Sequence, residues 1–332
     1  MEKIGVAVVG YGFIGKIHAR AVQSCAETRL VGVWTLPAEA AAAAEALPDV
    51  KVYARVEDVA GDAAVQAVVI GTPNSTHGPW TRMMLEAGKH VLVEKPMAMS
   101  VAEAEGMAAL AAGRGLRLMT GHMWRFDREV NAVRKVLESG ALGRVVKTKG
   151  YGIHEQWGPA GWFAKKELAG GGALVDMGVH ALDTARYLLG DPMPVSVYAS
   201  LGTYFGEYDV DDTGVLVVKW DSGCVSVIES GWWQPHMDGP EASTQLFGLL
   251  GYARVFPTMA KFTTPGKGPW LPRFPPRAEH CEQPMYDLEM GEFASAIREG
   301  REPRPGAKEG IVILKICEAA YRSSATNEVV RI

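Results

Sequence analysis

Cysteine is scarce in this chain. The four thiols, Cys25, Cys224, Cys281 and Cys317, lie far apart and form no C-x-x-C pair. A disulfide framework or a zinc knot needs closer or more regular spacing, so the pattern fits thiols in a reducing compartment. Long basic runs are also missing, and the formal net charge is −4. Without a cationic stripe there is no field to hold a phosphate backbone, and no nucleic-acid partner is expected. No stretch is long and apolar enough to span a bilayer, so no membrane partner is expected either. Gly5, Gly10, Gly12 and Gly15 interrupt the apolar N-terminal run, and no A-x-A site follows. That does not fit a signal peptide, and the expected location is cytoplasmic. Internal repeats are absent.

What is present suits two domains with sizeable cores: 332 residues, 48% of them hydrophobic and 22% charged. The first third alternates apolar β-branched runs with helical patterns. Strands are expected over 4–9, 29–33, 65–70, 90–94 and 116–120. Helices are expected up to Ser24 and over 37–47, 74–87 and 100–113. Asn74 is the expected cap of one helix, and Ser100 with Glu103 forms a capping-box pattern. This alternation predicts a doubly wound parallel sheet, a Rossmann domain over 1–122. From 123 to 332 the pattern becomes α+β. A helix over 127–137 precedes strands at 145–150, 195–201, 213–220, 224–230 and 243–247. Short connections such as Asp221-Ser222-Gly223 predict a large, mostly antiparallel sheet. Helices over 287–298 and 308–322 close the chain, and 265–276 reads as a Pro/Gly-rich loop.

Gly10-Tyr11-Gly12-Phe13-Ile14-Gly15 is a G-x-G-x-x-G between a predicted strand and a predicted helix. The three glycines serve a tight turn, backbone approach to a pyrophosphate, and close helix–strand packing. The helix N-terminus offers free N–H groups to the phosphates. The second strand then ends Val33-Trp34-Thr35, with no acid at the tip. An acid there would hold the adenosine ribose of NAD. Its absence admits NADP, yet no arginine follows for a 2′-phosphate, and Lys51 and Arg55 are distant candidates. NAD and NADP both stay open. Thr72, Pro73 and Asn74 follow the next strong strand at the ligand edge of such a sheet, and Glu94-Lys95-Pro96 follows the one after. A lysine there suits the nicotinamide end, and the proline rigidifies the turn.

Gly170-Gly171-Gly172 precedes a segment with Asp176, His180 and Asp183. If helical, it carries Asp176 and His180 one turn apart, with Asp183 on the same face. A carboxylate so placed can orient an imidazole for proton transfer. The same spacing can ligate a metal, but no third ligand is nearby and no metal is expected.

These segments together resemble the family of glucose–fructose oxidoreductase, inositol dehydrogenase and rhizopine catabolism proteins (Gfo/Idh/MocA). The resemblance rests on GYGFIG (10–15), TPNSTH (72–77), EKP (94–96), HMWRFD (122–127) and GGGALVDMGVHALD (170–183), and it spans nearly the whole chain. It implies a Rossmann domain followed by an open antiparallel sheet whose exposed face joins homodimers or homotetramers. It implies hydride transfer between a sugar or cyclic polyol hydroxyl and NAD or NADP. Lys95, Asp176 and His180 become the catalytic group. Cofactor contacts fall on the glycine loop, Trp34, Thr35, Thr72, Pro73, Asn74, His77, Glu94, Lys95 and Arg125. His122, Tyr151, His154, Trp157 and Trp162 join the catalytic group as candidate sugar contacts, since aromatic faces suit C–H surfaces and polar tips suit hydroxyls. Trp232 and Trp233 are expected to pack at an interface. Two positions depart from the family: Thr35 replaces a common acid, and Phe163 replaces a common arginine after Gly161-Trp162. Rival readings are a glycosidase working by transient oxidation, a reductase of another carbonyl, and a non-catalytic dinucleotide sensor.

Overall fold

The computed structural model describes residues 2–154, 158, 160–233, 241–264, 268–269, 271–275 and 281–332. The chain divides into two units, Met1–Met123 with Cys281–Ile311, and Trp124–His280 with Val312–Ile332.

The first unit is built on β1 (Ile4–Val9), α1 (Phe13–Ser24), β2 (Thr28–Trp34), α2 (Ala40–Ala46), β3 (Lys51–Tyr53) and α3 (Val56–Gly61). It continues through β4 (Ala67–Ile70), α4 (His77–Glu86), β5 (His90–Glu94), α5 (Val101–Gly113) and β6 (Leu118–Gly121). The strands lie in the order β3-β2-β1-β4-β5-β6, all parallel. β1 is Ile-Gly-Val-Ala-Val-Val with every residue buried, as a strand covered on both faces requires. The chain reverses direction of travel between β1 and β4, which opens the ligand crevice at the carboxyl ends of the strands. Ser100 caps α5, its hydroxyl accepting from the Glu103 amide at 3.2 Å. The Glu103 carboxylate accepts from Met99 instead, at 2.9 Å, so the capping box is only half formed. α4 has no side-chain cap; Asn74 instead opens a short 3-10 turn ahead of it.

The second unit contains α6 (Arg128–Glu138), β7 (Val145–Ile153), α7 (Lys166–Ala169) and a π-helical turn at Leu174–Gly178 that runs on as α8 (Val179–Leu188). The strands β8 (Pro194–Gly202), β9 (Thr213–Trp220), β10 (Val225–Gly231), β11 (Ala242–Gly248), β12 (Gly251–Val255), β13 (Met259–Phe262) and β14 (Val330–Arg331) follow. Its sheet has the order β13-β12-β11-β7-β10-β9-β8-β14 and is antiparallel except between β7 and β10. β9 alternates buried and exposed residues, so one sheet face packs on helices and the other is open. Leu174, Leu182, Leu216, Trp220, Ile228 and Ile316 are among the residues of the buried core.

Two further helices are α9 (Gln283–Glu299) and α10 (Ala307–Thr326). α9 packs on α1 of the first unit: Gln283 Nε2 donates to the Ile17 carbonyl at 3.1 Å, and the Tyr286 ring meets His18 edge-on at 5.2 Å. The expected second domain over 123–332 therefore gives up residues 281–311 to the first unit. A continuous reading of the sequence hides this, because an amphipathic helix does not name the surface that receives it. Most of the loop at 265–276 lies outside the described residues. Among the described residues, no helix is long and apolar enough to cross a membrane.

Candidate active site

The three glycines of the loop differ in what surrounds them. Gly10 has φ +96°, which favours glycine, and a Cβ there would lie 2.4 Å from the Gly71 carbonyl oxygen. A Cβ on Gly15 would lie 1.7 Å from the Gly10 carbonyl, so helix and strand touch there. A Cβ on Gly12 would meet nothing within 4 Å. No protein packing demands glycine at that point, whereas a pyrophosphate against the backbone does. Gly12 is also the N-cap of α1, which has neither a side-chain cap nor an acid in its first turn. Its leading N–H groups suit an anion. The chain fits a dinucleotide at this cradle.

Next along the same sheet edge, Thr72 and Thr76 share a hydrogen bond at 2.6 Å. Buried His77 sits between two carbonyls, Pro96 at 2.7 Å from Nδ1 and Thr72 at 2.8 Å from Nε2. Burial holds this imidazole below its ordinary pKa despite both carbonyls. His77 thus ties the turn after β4 to the turn after β5 rather than presenting a polar tip to a ligand. The Lys95–Pro96 bond is cis.

Glu94 departs from the expected ribose contact. Its carboxylate is buried, 2.8 Å from His18 Nε2, and accepts the Lys95 backbone amide at 3.1 Å. Burial pushes the carboxyl up, but the His18 contact and the Lys95 charge outweigh this and hold it below the ordinary carboxylate value. A Cβ on Gly121 would lie 3.1 Å from this carboxyl group, so the end of β6 also closes over it. Glu94 and His18 therefore brace the backbone that presents Lys95. His122, buried directly after β6, ends the same edge. At the end of β2, Trp34 meets the Trp80 ring edge-on at 4.9 Å.

In the second unit the glycine run is explained by crowding. A Cβ on Gly171 would lie 2.0 Å from the Tyr321 hydroxyl, and one on Gly172 would lie 1.8 Å from the Asp211 carbonyl. The Asp211 carboxylate accepts from the Gly172 amide at 2.8 Å, the Leu174 amide at 2.9 Å and the Tyr321 hydroxyl at 2.7 Å. This buried carboxylate satisfies the start of the π-helical turn, a geometry often found at functional sites. The turn carries Asp176, whose Oδ2 accepts from Trp232 Nε1 at 3.1 Å. His154 Nε2 lies 3.9 Å from the same oxygen, and its Nδ1 lies 3.0 Å from Glu241. His180, one turn on in α8, is buried against the Trp124 ring at 4.9 Å between centroids.

Several expected residues stand elsewhere. Asp183 is engaged by Arg125, which donates two hydrogen bonds to its carboxylate, at 2.8 and 2.7 Å. Arg125 also reaches Asp191 at 2.8 Å, and Arg186 shares that acid. Burial works against the Arg125 charge, but the two carboxylates outweigh it and raise its pKa. The guanidinium expected at the cofactor is thus the centre of a buried ion network, which the sequence hid because its acids come from a distant segment. Tyr151 alternates with Gly150 and Gly152 on β7. Gly152 faces the Asp176 turn, where a Cβ would lie 2.3 Å from the Met177 carbonyl. The two-residue period of a strand sends Tyr151 to the opposite, open face with Lys147 and Lys149, not to the substrate position expected of it. Trp162 stacks on Phe163 at 3.8 Å. Trp157 lies outside the described residues. Trp232, expected at an interface, is fully buried and bonded to Asp176.

His18 and Asp211 escaped the sequence reading, and Trp232 was read only as an interface residue. His18 carried a signal, a polar residue within the buried face of α1. Asp211 carried none, and nothing local tied Trp232 to Asp176, since both meet the site from distant chain segments.

Residues 4–122 match the model of an oxidoreductase family with an NAD-binding Rossmann fold, and residues 130–254 match the GFO/IDH/MocA C-terminal domain. The scyllo-inositol 2-dehydrogenase (NAD(+)) of Bacillus subtilis (strain 168) is 28% identical, over 97% of this chain and 94% of that protein. The inositol 2-dehydrogenase of Rhizobium meliloti (strain 1021) is 29% identical, over 96% of each. The crystal structure of GenD2 from gentamicin A biosynthesis, in complex with NAD, superposes with a TM-score of 0.87 at 28% identity, covering 100% of this chain and 97% of that one. Sheet order, glycine loop and the matched models thus converge: this chain belongs to the Gfo/Idh/MocA family of oxidoreductases, dehydrogenases built on a nicotinamide-dinucleotide-binding Rossmann domain.

Proposed function

We propose that the protein oxidises a secondary hydroxyl of a sugar or cyclic polyol, or reduces the matching ketone, with NAD or NADP. One observation carries the reading: the carboxyl edge of a single parallel sheet gathers the glycine cradle after β1, the Thr72–His77 turn after β4 and Lys95 after β5. The bound nicotinamide supplies the hydride acceptor. His180 takes the hydroxyl proton, a role suited to imidazole near neutral pH. Lys95 stabilises the developing alkoxide by its charge. Asp176, anchored by Trp232 and flanked by His154, orients the substrate hydroxyl or His180. His122 and His154 supply polar contacts to further hydroxyls. The proposed assembly is a homodimer or homotetramer joined through the open face of the second sheet, where Tyr198, Val215 and Val217 are each more than a third exposed.

The test is a spectrophotometric screen of sugars and inositols with each dinucleotide. Lys95→Ala and His180→Ala are each expected to lower kcat by about 100-fold or more, in the range of general acid–base contributions. Both should retain dinucleotide affinity by titration calorimetry. Full turnover in both variants would remove the assignment.

A further inference from the structure

β2 ends without an acid, but the fold brings one back. Thr35, the first residue beyond β2, is buried, and its hydroxyl donates to Oε2 of Glu39 at 2.6 Å. Pro37 opens the 3-10 turn in between, and the Glu39 amide closes it on the Leu36 carbonyl at 2.8 Å. The carboxylate is thereby folded back over the strand tip. The tip itself lies against the glycine loop, since the Gly10 amide donates to the Trp34 carbonyl at 2.8 Å. Oε1 of Glu39 has no hydrogen bond among the described residues, and the residue is exposed. The two distant cations considered for a 2′-phosphate are both engaged by acids: Lys51 by Asp62 at 2.8 Å and Arg55 by Glu57 at 3.2 Å.

We infer that Glu39, held by Thr35, is the residue that accepts the adenosine ribose hydroxyls and makes the protein select NAD over NADP. A carboxylate accepts from a vicinal diol but repels a 2′-phosphate, and charge-assisted hydrogen bonds of this kind are among the stronger ones. Thr35 supplies what a strand-end acid obtains from its own backbone, a fixed direction.

This inference rests on the dinucleotide reading of the glycine loop, so the test measures equilibrium binding of NADH and NADPH by nicotinamide fluorescence, without substrate. The wild-type protein is expected to bind NADH about tenfold or more tightly than NADPH. Glu39→Gln should weaken NADH by about tenfold and bring the two constants together. Thr35→Val, which keeps the charge and removes its anchor, should weaken NADH while NADPH stays the poorer ligand. NADH binding with Glu39→Gln indistinguishable from wild type would overturn the inference and leave the dinucleotide reading intact. Binding of neither dinucleotide by the wild type would overturn both.

Discussion

Glu289 on α9 is a carboxyl with no exposed surface, and neither of its oxygens has a hydrogen-bond partner among the described residues. Burial raises its pKa well above the ordinary 4.5, and the nearby Glu94 charge adds to the rise. The folded state therefore holds this proton more tightly than the unfolded chain does. Its contribution to stability is complete below about pH 4.5 and declines as pH climbs from there to the folded-state pKa. Glu289→Met keeps similar bulk and removes both effects. The variant is expected to gain stability at pH 8, by about 1–3 kcal/mol for the unpaired polar group alone, and to gain less at pH 5. Thermal melts at the two pH values check this, and an equal shift at both would show that ionisation plays no part. A second prediction concerns Trp232. Trp232→Phe keeps an aromatic ring but removes the donor to Asp176 Oδ2. It is expected to lower kcat/KM by about tenfold while leaving NADH affinity unchanged in direct titration.

Among the elements, the π-helical turn at Leu174–Gly178 depends on its approach. Gly172 passes the Asp211 backbone so closely that a methyl group has no room. Gly172→Ala should therefore displace the turn carrying Asp176, costing turnover at least as much as stability. Loss of activity with an unchanged melting temperature and retained NADH binding would mark a local displacement, whereas retained activity would show that the loop can give way. This element also marks where the sequence was legible and where it was not. β1, β5 and β9 match the expected strands residue for residue, because short apolar runs rich in valine and strict alternation are strong local signals. The short strands β3, β12, β13 and β14 were not foreseen, since so few residues carry little periodicity. In the candidate site, the glycine loop and Lys95 were readable because single motifs carry them. The partners of Asp176, Asp183 and Glu94 come from remote segments and left no local trace. An ideal helix drawn through 173–183 also put Asp183 beside His180. Both residues lie in α8, so that spacing holds; what the sequence hid is that Arg125 takes the Asp183 carboxylate.

At the level of the molecule, the second sheet presents Tyr198, Val215 and Val217 on its open face, with the register setting Tyr198 beside Val217. If copies of the chain meet there, Val217→Glu places a charge in the contact and should shift the species seen by sedimentation velocity toward monomer. An unchanged distribution would move the contact elsewhere. The return of α9 to α1 bears on how such a protein can be cut and recombined. The dinucleotide-binding half is not a contiguous cassette. A segment ending near residue 122 would leave behind Tyr286, which covers His18, and with it the support beneath Glu94 and Lys95. Chimeras that exchange coenzyme preference between relatives should therefore carry residues 281–311 along with the N-terminal third, so that two crossovers, not one, define the transferable unit.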